Sequence, residues 1–285
     1  TKFNSILSIS KNKFHFINFF LEIFYNLIGP KGTLIVPALW NIWGKDKKKK
    51  IFDIKKSIPK VGILPSYLIS LPNVSRTMDP MFSFAILGNN RKYFSDISNN
   101  SFGKNSVYEK ILKKKGKLIS FGLNQFDPTF VHFVEQYFDE NFSKLKYRYL
   151  KKFSGILIDK KKKKKKKSFF CFVRKFKNNM VFNGKKIQVN LTKKKKLNRV
   201  KILNNDIYIV DSSDFFREGL AGLKKNKYFF VKNLKKINNL GTKFINITNR
   251  KKNNKAIILN NESRTFHSLN LESDKICLWL LKKNF

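Results

Sequence analysis

Apolar residues along the first half of the chain fall into runs with two different lengths. A long run at residues 16–28 ends at Gly29-Pro30, and this pair is a helix stop signal because Gly takes the left-handed cap conformation and Pro cannot continue a helix. The short, mostly apolar run at residues 33–37 predicts a buried strand. The same reasoning predicts helices at residues 61–71, 106–115 and 127–138, and strands at residues 3–9, 81–88 and 117–121.

Strands that alternate with helices are typical of an α/β fold. We therefore predict a mixed, largely parallel central sheet flanked by helices. In such a sheet, ligands bind outside the carboxyl ends of the strands. The turns after Val36 and Phe121 are the places where we expect the chemistry.

The pattern changes after about residue 150. Two short β-prone runs, at residues 153–158 and 169–173, lie on either side of eight consecutive lysines at 160–167. Like charges repel and stay solvated, so we predict a basic β-hairpin insertion at about 151–180 with the lysines at its tip. A strand at 206–210 and a helix at 213–224 complete a predicted domain at 1–232. Residues 233–285 form a Lys/Asn-rich C-terminal extension to which the pattern assigns no role.

The charge balance offers two interpretations. The chain of 285 residues has 61 Lys and Arg against 18 Asp and Glu, a formal net charge of +43. Such an excess ordinarily indicates a polyanionic partner, either nucleic acid or an anionic membrane. Here the charge is nearly all Lys and is spread along the chain, whereas Arg makes the bidentate contacts to phosphates and bases. We interpret the excess as a compositional bias and expect no nucleic-acid partner.

Cysteine and histidine are too few and too scattered for a disulfide framework or a metal site. Only Cys171 and Cys277 are present, with three His, so we expect a reducing, cytoplasmic environment and no metal. The apolar run at 16–28 is shorter than the roughly 20 residues that span a bilayer, and Glu22 interrupts it, so we expect no membrane span. The chain begins with Thr1 rather than Met, so we expect an incomplete N-terminus. The pattern does not indicate an oligomeric state.

Four segments in a fixed order carry a resemblance to a known family. They are LIGPKGTLIVP at 27–37, VGILP at 61–65 with LPNVSRTMDPMFSFA at 71–85, FGKNS at 102–106, and TFVHFVE at 129–135, with Tyr147-Arg148 following. Together with Gly88, Gly116 and Gly122 they resemble the aminoglycoside 3-N-acetyltransferase family over roughly residues 4–230. The resemblance implies an α/β fold and transfer of an acetyl group from acetyl-CoA to an amine of an aminoglycoside or related amino sugar.

Acetyl transfer from a thioester to an amine requires a base, a donor to the developing oxyanion and a grip on CoA. His132 is the candidate base, because the pKa of imidazole lies nearest neutrality. On the predicted helix Glu135 and Thr129 share its face, where Glu135 can orient the ring or hold an ammonium and Thr129 can donate to the acetyl oxygen. The resemblance implies that this segment lies in the active site. Cys171 has no histidine motif nearby, so we predict direct transfer without a covalent intermediate.

The resemblance also implies a CoA-binding set. Ser5, Ser8 and Ser10 fall near the serine-rich turn that contributes to this site in the family. Arg76 and Ser83 flank the second segment, where Arg76 can pair with an anionic group. The alternatives are ordinary turn serines and an arginine that ties down a loop.

Departures from the family pattern concern the acceptor. Asp79 stands where many antibiotic-modifying members have a His before Pro, and we assign Asp79 to substrate binding. Ser66 replaces a commonly acidic position, and only Asn4 represents a histidine-bearing motif near the N-terminus. The Asp-Pro variant resembles members from surface-polysaccharide gene clusters, so one alternative is an N-acyltransferase acting on an amino sugar in polysaccharide biosynthesis. Two others are a non-enzymatic polyanion-binding protein and a decayed gene product that keeps the fold without activity.

Overall fold

A computed structural model of the chain describes residues 13–40, 43, 50–121, 126–175, 180–202, 205–233, 247–248, 251–259 and 262–282. Two compact units divide the chain, Thr1–Lys232 and Asn233–Phe285. The candidate chemistry lies in the first unit, which is therefore described in more detail.

The described residues form eight helices, numbered here in chain order. They are α1 (Lys13–Ile28), α2 (Ile63–Leu68), α3 (Arg91–Ser95), α4 (Val107–Lys113), α5 (Val131–Asn141), α6 (Lys185–Lys193), α7 (Ser212–Lys225) and α8 (Phe266–Lys282). No helix within these described ranges is long and apolar enough to cross a membrane.

The strands of the described residues form several small sheets. They are β1 (Thr33–Pro37), β2 (Ile51–Asp53), β3 (Ser75–Arg76), β4 (Phe84–Gly88), β5 (Lys117–Phe121), β6 (Arg148–Ile158), β7 (Lys164–Arg174), β8 (Met180–Phe182), β9 (Leu197–Ile202), β10 (Asn205–Asp211), β11 (Val231–Asn233), β12 (Lys255–Leu259) and β13 (Glu262–Thr265). The sheet orders are β1-β4-β3, β5-β10-β9, β2-β6-β7, β11-β8 and β12-β13.

The fold is mixed α/β, as predicted, but the prediction of a largely parallel sheet is wrong. Strand β1 runs antiparallel to β4, with Ile35 opposite Ile86, and β5 runs antiparallel to β10, with Ile119 opposite Ile209. Among the strand registers that the structure describes, only β2 and β6 run parallel. The alternation of strands and helices misled the prediction for two reasons. Consecutive strands such as β6 and β7 or β9 and β10 pair antiparallel, and the long connections from β1 to β4 and from β5 to β10 also join antiparallel strands.

Several elements form where the pattern places them. Helix α1 ends at Ile28, as predicted. The next residue, Gly29, has a φ of 67°, and its N–H donates to the carbonyl of Tyr25 at 2.9 Å. Strands β1 and β5 have the predicted bounds, whereas α2 is shorter than predicted. Strand β4 begins three residues later than predicted, because the Asp79 carboxylate accepts the N–H groups of Met81 and Phe82 and holds them in a turn. The strand predicted at 3–9 lies outside the described residues.

Aromatic side chains dominate the core of the first unit. Phe102, Phe130 and Phe215 are each no more than 2% exposed. The ring of Phe130, at the start of α5, meets Phe215 of α7 edge-on at 5.8 Å and Phe133 at 5.3 Å. A fully buried Phe contributes roughly 1.5–3 kcal/mol, so these rings fix the start of α5 firmly against the rest of the unit.

Two glycines of the family segments lie where backbone passes too close for a side chain, one between β4 and the start of β1 and one between the start of β1 and the end of α1. A Cβ on Gly88, whose φ is 120°, would lie 2.3 Å from the carbonyl oxygen of Gly32. A Cβ on Gly32 would lie 2.5 Å from the carbonyl oxygen of Ile28. Only glycine fits at both positions. The contact between Gly88 and Gly32 places the first two family segments side by side in the fold.

The lysine block lies in a long hairpin that belongs to a larger sheet. Strands β6 and β7 pair antiparallel with Phe153 opposite Phe169, and β2 adds to the edge of β6 in parallel. We predicted that the whole block lies at the tip of the hairpin, and this is only partly correct. Its first residues lie in the connecting turn, but Lys164–Lys167 lie in β7 opposite residues 155–158. All eight lysines are exposed.

The described residues of the second unit include an antiparallel pair of strands and the helix α8. Strand β12 pairs with β13, and α8 follows directly after β13. The backbone N–H of Phe266, the first residue of α8, donates to the carbonyl of Asn254 at 3.2 Å. The sequence pattern predicted neither these strands nor this helix.

Candidate active site

The candidate site is built where α5 and β6 begin. Helix α5 supplies His132 and Glu135 from its first two turns, and Arg148 is the first residue of β6. Asp139 on α5 accepts the N–H of Leu145 at 2.7 Å, and the Leu145 side chain is 1% exposed. This anchor returns the chain along the helix and brings Arg148 next to His132, although 16 residues separate them in sequence.

Glu135 is a wholly buried carboxylate with three partners. Its Oε2 atom accepts a hydrogen bond from Arg148 and lies 3.4 Å from Nδ1 of His132, and its Oε1 atom accepts from the Tyr147 hydroxyl at 3.0 Å. Burial alone would raise the pKa of Glu135, but the Arg148 guanidinium and the contact with His132 hold it below its usual range. The carboxylate is therefore ionised at neutral pH.

His132 is nearly buried and neutral. Its side chain is 16% exposed, and its ring lies edge-on to Phe102 at 5.1 Å and to Phe82 at 6.4 Å. Burial, and then the positive charge of Arg148, lower the pKa of His132 to about 4, although Glu135 acts in the opposite direction. At pH 7 the imidazole is therefore neutral and has one unprotonated ring nitrogen, as a general base requires.

Thr129 lies before the helix rather than on it. It sits partly buried in the turn that precedes α5, and its carbonyl accepts the backbone N–H of His132 at 3.1 Å. The predicted helix at 127–138 begins too early, since α5 starts at Val131. Thr129 is nevertheless adjacent in space to the first turn that carries His132.

Asp79 faces the protein interior. Its side chain accepts the N–H of Met81 at 2.7 Å and that of Phe82 at 2.9 Å, and the residue is 2% exposed. Burial raises the pKa of Asp79 above its usual range. In this geometry Asp79 holds the turn before β4, and its assignment to substrate binding stays a prediction.

The Arg76 guanidinium is hydrogen-bonded to other groups of the protein. Its guanidinium donates to the carbonyl oxygens of Ser57 and of Ala38, the latter at 3.2 Å, and to the Ser83 hydroxyl, and it lies 4.8 Å from the centre of the Phe52 ring. Ser83 is fully buried beside it. These contacts favour the alternative in which Arg76 ties a loop to the sheet.

Three serines predicted for the CoA site, Ser5, Ser8 and Ser10, lie outside the described residues. Among the residues that the structure does describe, no group of three or more His, Cys, Asp or Glu side chains gathers in a way that could hold a metal ion. The predicted role of the serines stays a prediction.

A cavity of about 300 Å³ lies beside Arg148. Its acidic residues are already engaged, because Asp139 pairs with Lys144 at 2.8 Å and Glu140 accepts from Gln136 at 2.7 Å. His132 does not line this cavity. Its walls are formed by Gln136, Asp139, Glu140, Lys144, Leu145, Arg148, Tyr149, Leu150 and Phe172.

Sequence reasoning assigned no role to the residues that surround the Glu135 carboxylate. Tyr147 and Arg148 entered only as a pair that resembles the family, and Arg174, which lies opposite Arg148 on β7, did not enter. An arginine in a chain whose positive charges are nearly all Lys was the available signal, because buried ion pairs favour Arg.

Solved structures define the class of fold to which this chain belongs. It is similar to AAC-IIIb, solved as a binary complex with CoASH (17% identity, 73% of this chain and 83% of that chain, TM-score 0.59). It is also similar to aminoglycoside acetyltransferase AAC(3)-IVa as apoenzyme (19%, 74% and 75%, TM-score 0.56) and to AAC-VIa bound to sisomicin (14%, 73% and 84%, TM-score 0.57). At these identities the likeness shows the fold, which is that of the AAC(3) acetyltransferases.

The sequence match then defines the family. Residues 3–224 match the family model described as aminoglycoside 3-N-acetyltransferase. The chain therefore belongs to the aminoglycoside 3-N-acetyltransferase family, and the resemblance carried by the four segments is confirmed. No curated protein sequence matches the chain.

Proposed function

We propose that this chain transfers an acetyl group from acetyl-CoA to an amine of an aminoglycoside or a related amino sugar, with His132 as general base. The observation that carries the proposal is the contact between a neutral, slightly exposed His132 and the buried, ionised Glu135. Both residues lie within the part of the chain that matches the family.

In the proposed reaction His132 accepts a proton at Nε2 while its Nδ1–H donates to Glu135. The amine nitrogen bonds to the thioester carbon and becomes acidic as it gains positive charge, so a weakly basic imidazole can take its proton. The carbon–sulfur bond breaks as the oxyanion collapses, and CoA leaves with a proton as the free thiol. A base in this role contributes typically a hundredfold or more to the rate. The fixed charge of Glu135 offsets the imidazolium that forms.

We assign Thr129 to the acetyl oxygen. It lies in the turn before α5, directly beside the helical turn that carries His132. A hydroxyl donor at this position stabilises the oxyanion on the same side as the base. The assignment needs no movement of the helix, because the rings of Phe130 and Phe215 hold its start in place.

Acetyl-CoA is the proposed acetyl donor. The AAC-IIIb structure contains CoASH, and a net charge of +43 favours the approach of a phosphate-rich molecule. Arg76 and Ser83 are engaged inside the protein, so we favour other residues for the phosphate contacts, and Ser5, Ser8 and Ser10 stay our candidates. We expect a cytoplasmic reaction that needs no metal.

For the acceptor we propose an aminoglycoside, since AAC-VIa is seen bound to sisomicin. We prefer it to a polysaccharide amino sugar, the alternative indicated by the Asp79-Pro80 variant, because the Asp79 carboxylate is buried and accepts the N–H groups of its own turn. The two acceptors share an amine on a sugar ring, so the chemistry at His132 is the same for both.

The test is release of free CoA thiol from acetyl-CoA by the purified chain. The amines offered are a panel of aminoglycosides beside nucleotide-linked amino sugars, and a reaction without amine measures hydrolysis. We expect at least one amine to give CoA and an equal amount of a product heavier by one acetyl group. A folded protein that neither binds CoA nor acetylates any amine would contradict the proposal and favour the polyanion-binding or decayed alternatives.

A further inference from the structure

Arg148 holds both members of the His132–Glu135 pair. Its Nη2 atom donates to Glu135 and lies 2.7 Å from Nδ1 of His132, while Nη1 donates to the carbonyl of Phe172 on β7 at 3.1 Å. The side chain is 2% exposed. Two anchors fix the plane of the guanidinium, so its contact with the imidazole is set by the fold.

The two contacts at Nδ1 of His132 make opposite demands on its proton. A guanidinium donates hydrogen bonds and accepts none, so Arg148 requires a lone pair on Nδ1. The carboxylate of Glu135 accepts only, so it requires a proton there. The 2.7 Å distance to Arg148 is a normal hydrogen bond, whereas the 3.4 Å distance to Glu135 lies at the outer limit. In the free protein Arg148 therefore satisfies Nδ1, and the ring proton lies on Nε2.

The charges around the imidazole support this state. Arg148 on β6 and Arg174 on β7 both disfavour a positive ring, and Glu135 on the same helix is the opposing charge. Asp127 lies in the segment before α5, and burial, together with the nearby charge of Glu135, raises its pKa. The Tyr147 hydroxyl occupies the second oxygen of Glu135. The positive charges of Arg148 and Arg174 together outweigh the single negative charge of Glu135, so the imidazole stays neutral.

We propose that Arg148 is a positioning residue that keeps the proton of His132 on Nε2 in the free protein and must release Nδ1 to Glu135 before Nε2 can act as a base. The second half of this inference rests on the proposed function. A displacement of the ring towards Glu135 brings Nδ1 to a carboxylate oxygen with which it is already in contact. The tautomer then changes by exchange with solvent at the partly exposed ring: Nε2 gives its proton to water, and Nδ1 takes one proton from water, so the imidazole stays neutral. The resting enzyme is thus held in the tautomer that does not take a proton at Nε2.

The test reads the tautomer directly by ¹⁵N NMR of the full chain labelled at histidine. The chain has three His, and the resonances of His132 are those that disappear in His132→Asn. For the wild type we expect protonated Nε2, unprotonated Nδ1 and no titration between about pH 8 and pH 5. In Arg148→Met, which cannot donate, the proton should move to Nδ1 and the titration midpoint should rise by about one pH unit or more.

Two further variants make the result specific. Arg148→Lys keeps a charged donor and should stay close to the wild type in tautomer. Arg199→Met removes an exposed arginine that pairs with Asp206 and should leave His132 unchanged. If Arg148→Met does not fold, the wild type and Arg148→Lys still decide the question.

Protonated Nδ1 in the wild type, or an unchanged His132 in a folded Arg148→Met, would overturn the inference. The measurement needs no turnover, so it is separable from the proposed function. A chain that acetylates no amine but shows protonated Nε2 contradicts only the function. An active chain with protonated Nδ1 contradicts only the role of Arg148.

Discussion

The Tyr147 hydroxyl donates a 3.0 Å hydrogen bond to Oε1 of Glu135, the carboxylate oxygen that neither His132 nor Arg148 contacts. Tyr147 is 2% exposed and Glu135 is fully buried, so this contact lies away from solvent. Together with Arg148 it fixes both oxygens of the carboxylate, and the orientation of Glu135 towards His132 follows from the fold rather than from substrate.

Removing the charge of Glu135 should damage stability and activity together. Glu135→Gln keeps the shape but leaves Arg148 buried without its counterion, so the free energy of unfolding should fall by about 3 kcal/mol or more. The matched control is Asp211→Asn, because Asp211 pairs with Lys117 at the surface with both side chains about half exposed, and it should cost less than about 1 kcal/mol. Denaturant unfolding measures both, and equal losses in the two variants would contradict a buried ion pair.

The stability of the fold should depend on pH through His132. Its pKa is about 4 in the folded chain and near 6.5 when unfolded, so below pH 6.5 the unfolded state binds a proton that the folded state refuses. Stability should therefore fall as pH drops from 6.5 to 4, by up to about 3 kcal/mol from this residue.

His132→Asn isolates that contribution from the carboxylates. We expect the stability of the wild type relative to this variant to decrease steadily between pH 7 and pH 4 in denaturant titrations. A difference that does not change with pH would show that the folded state does not resist protonation of the ring.

Substitution of Arg76 distinguishes a structural role of this residue from a role in CoA binding. Arg76→Lys keeps the charge but loses the planar set of donors that joins the carbonyls of Ala38 and Ser57 to the Ser83 hydroxyl, so the chain should lose about 2 kcal/mol of stability. The KM for acetyl-CoA should change by less than about twofold in an active, folded variant. Unchanged stability with a tenfold rise in KM would instead restore Arg76 to the CoA site.

The lysine excess should act on the rate at which acetyl-CoA arrives. Because a net charge of +43 attracts phosphates and salt screens that attraction, the KM for acetyl-CoA should rise several-fold, about threefold or more, between low and high ionic strength. An uncharged acetyl-pantetheine thioester is the matched control and should show little change. If the KM for both donors rose equally with salt, the effect would come from a change in the protein and not from the charge of CoA, which would contradict the prediction.

The sequence predicts what local pattern determines. The stop at Gly29-Pro30 bounds α1, and the apolar runs give β1 and β5 with their observed bounds. The family segments led to His132 and Glu135, whose contact depends only on a spacing of three residues on one helix. Pairing of β5 with β10 depends on a long connection instead, so strand direction was beyond the local pattern.

The same reason hid the role of Arg148. Its contact with His132 requires α5 to end, the Asp139–Leu145 hydrogen bond to return the chain and β6 to begin at Arg148. The contacts of Arg76 and Asp79 inside the protein were also beyond the local pattern. Both lie in a family segment and both carry charge. The folded chain shows that Arg76 donates to the distant carbonyl of Ala38 and to the Ser83 hydroxyl, and that Asp79 accepts backbone N–H groups of its own turn.

The most direct test of the account is kcat/KM for acetyl transfer in His132→Ala, with His267→Ala as the matched control. His267 lies exposed in the second unit and should leave the rate unchanged. If His132 is the general base, its removal should lower kcat/KM by about a hundredfold or more, while acetyl-CoA binding persists. A His132→Ala variant that is folded and retains turnover within a few-fold of the wild type would contradict the central claim.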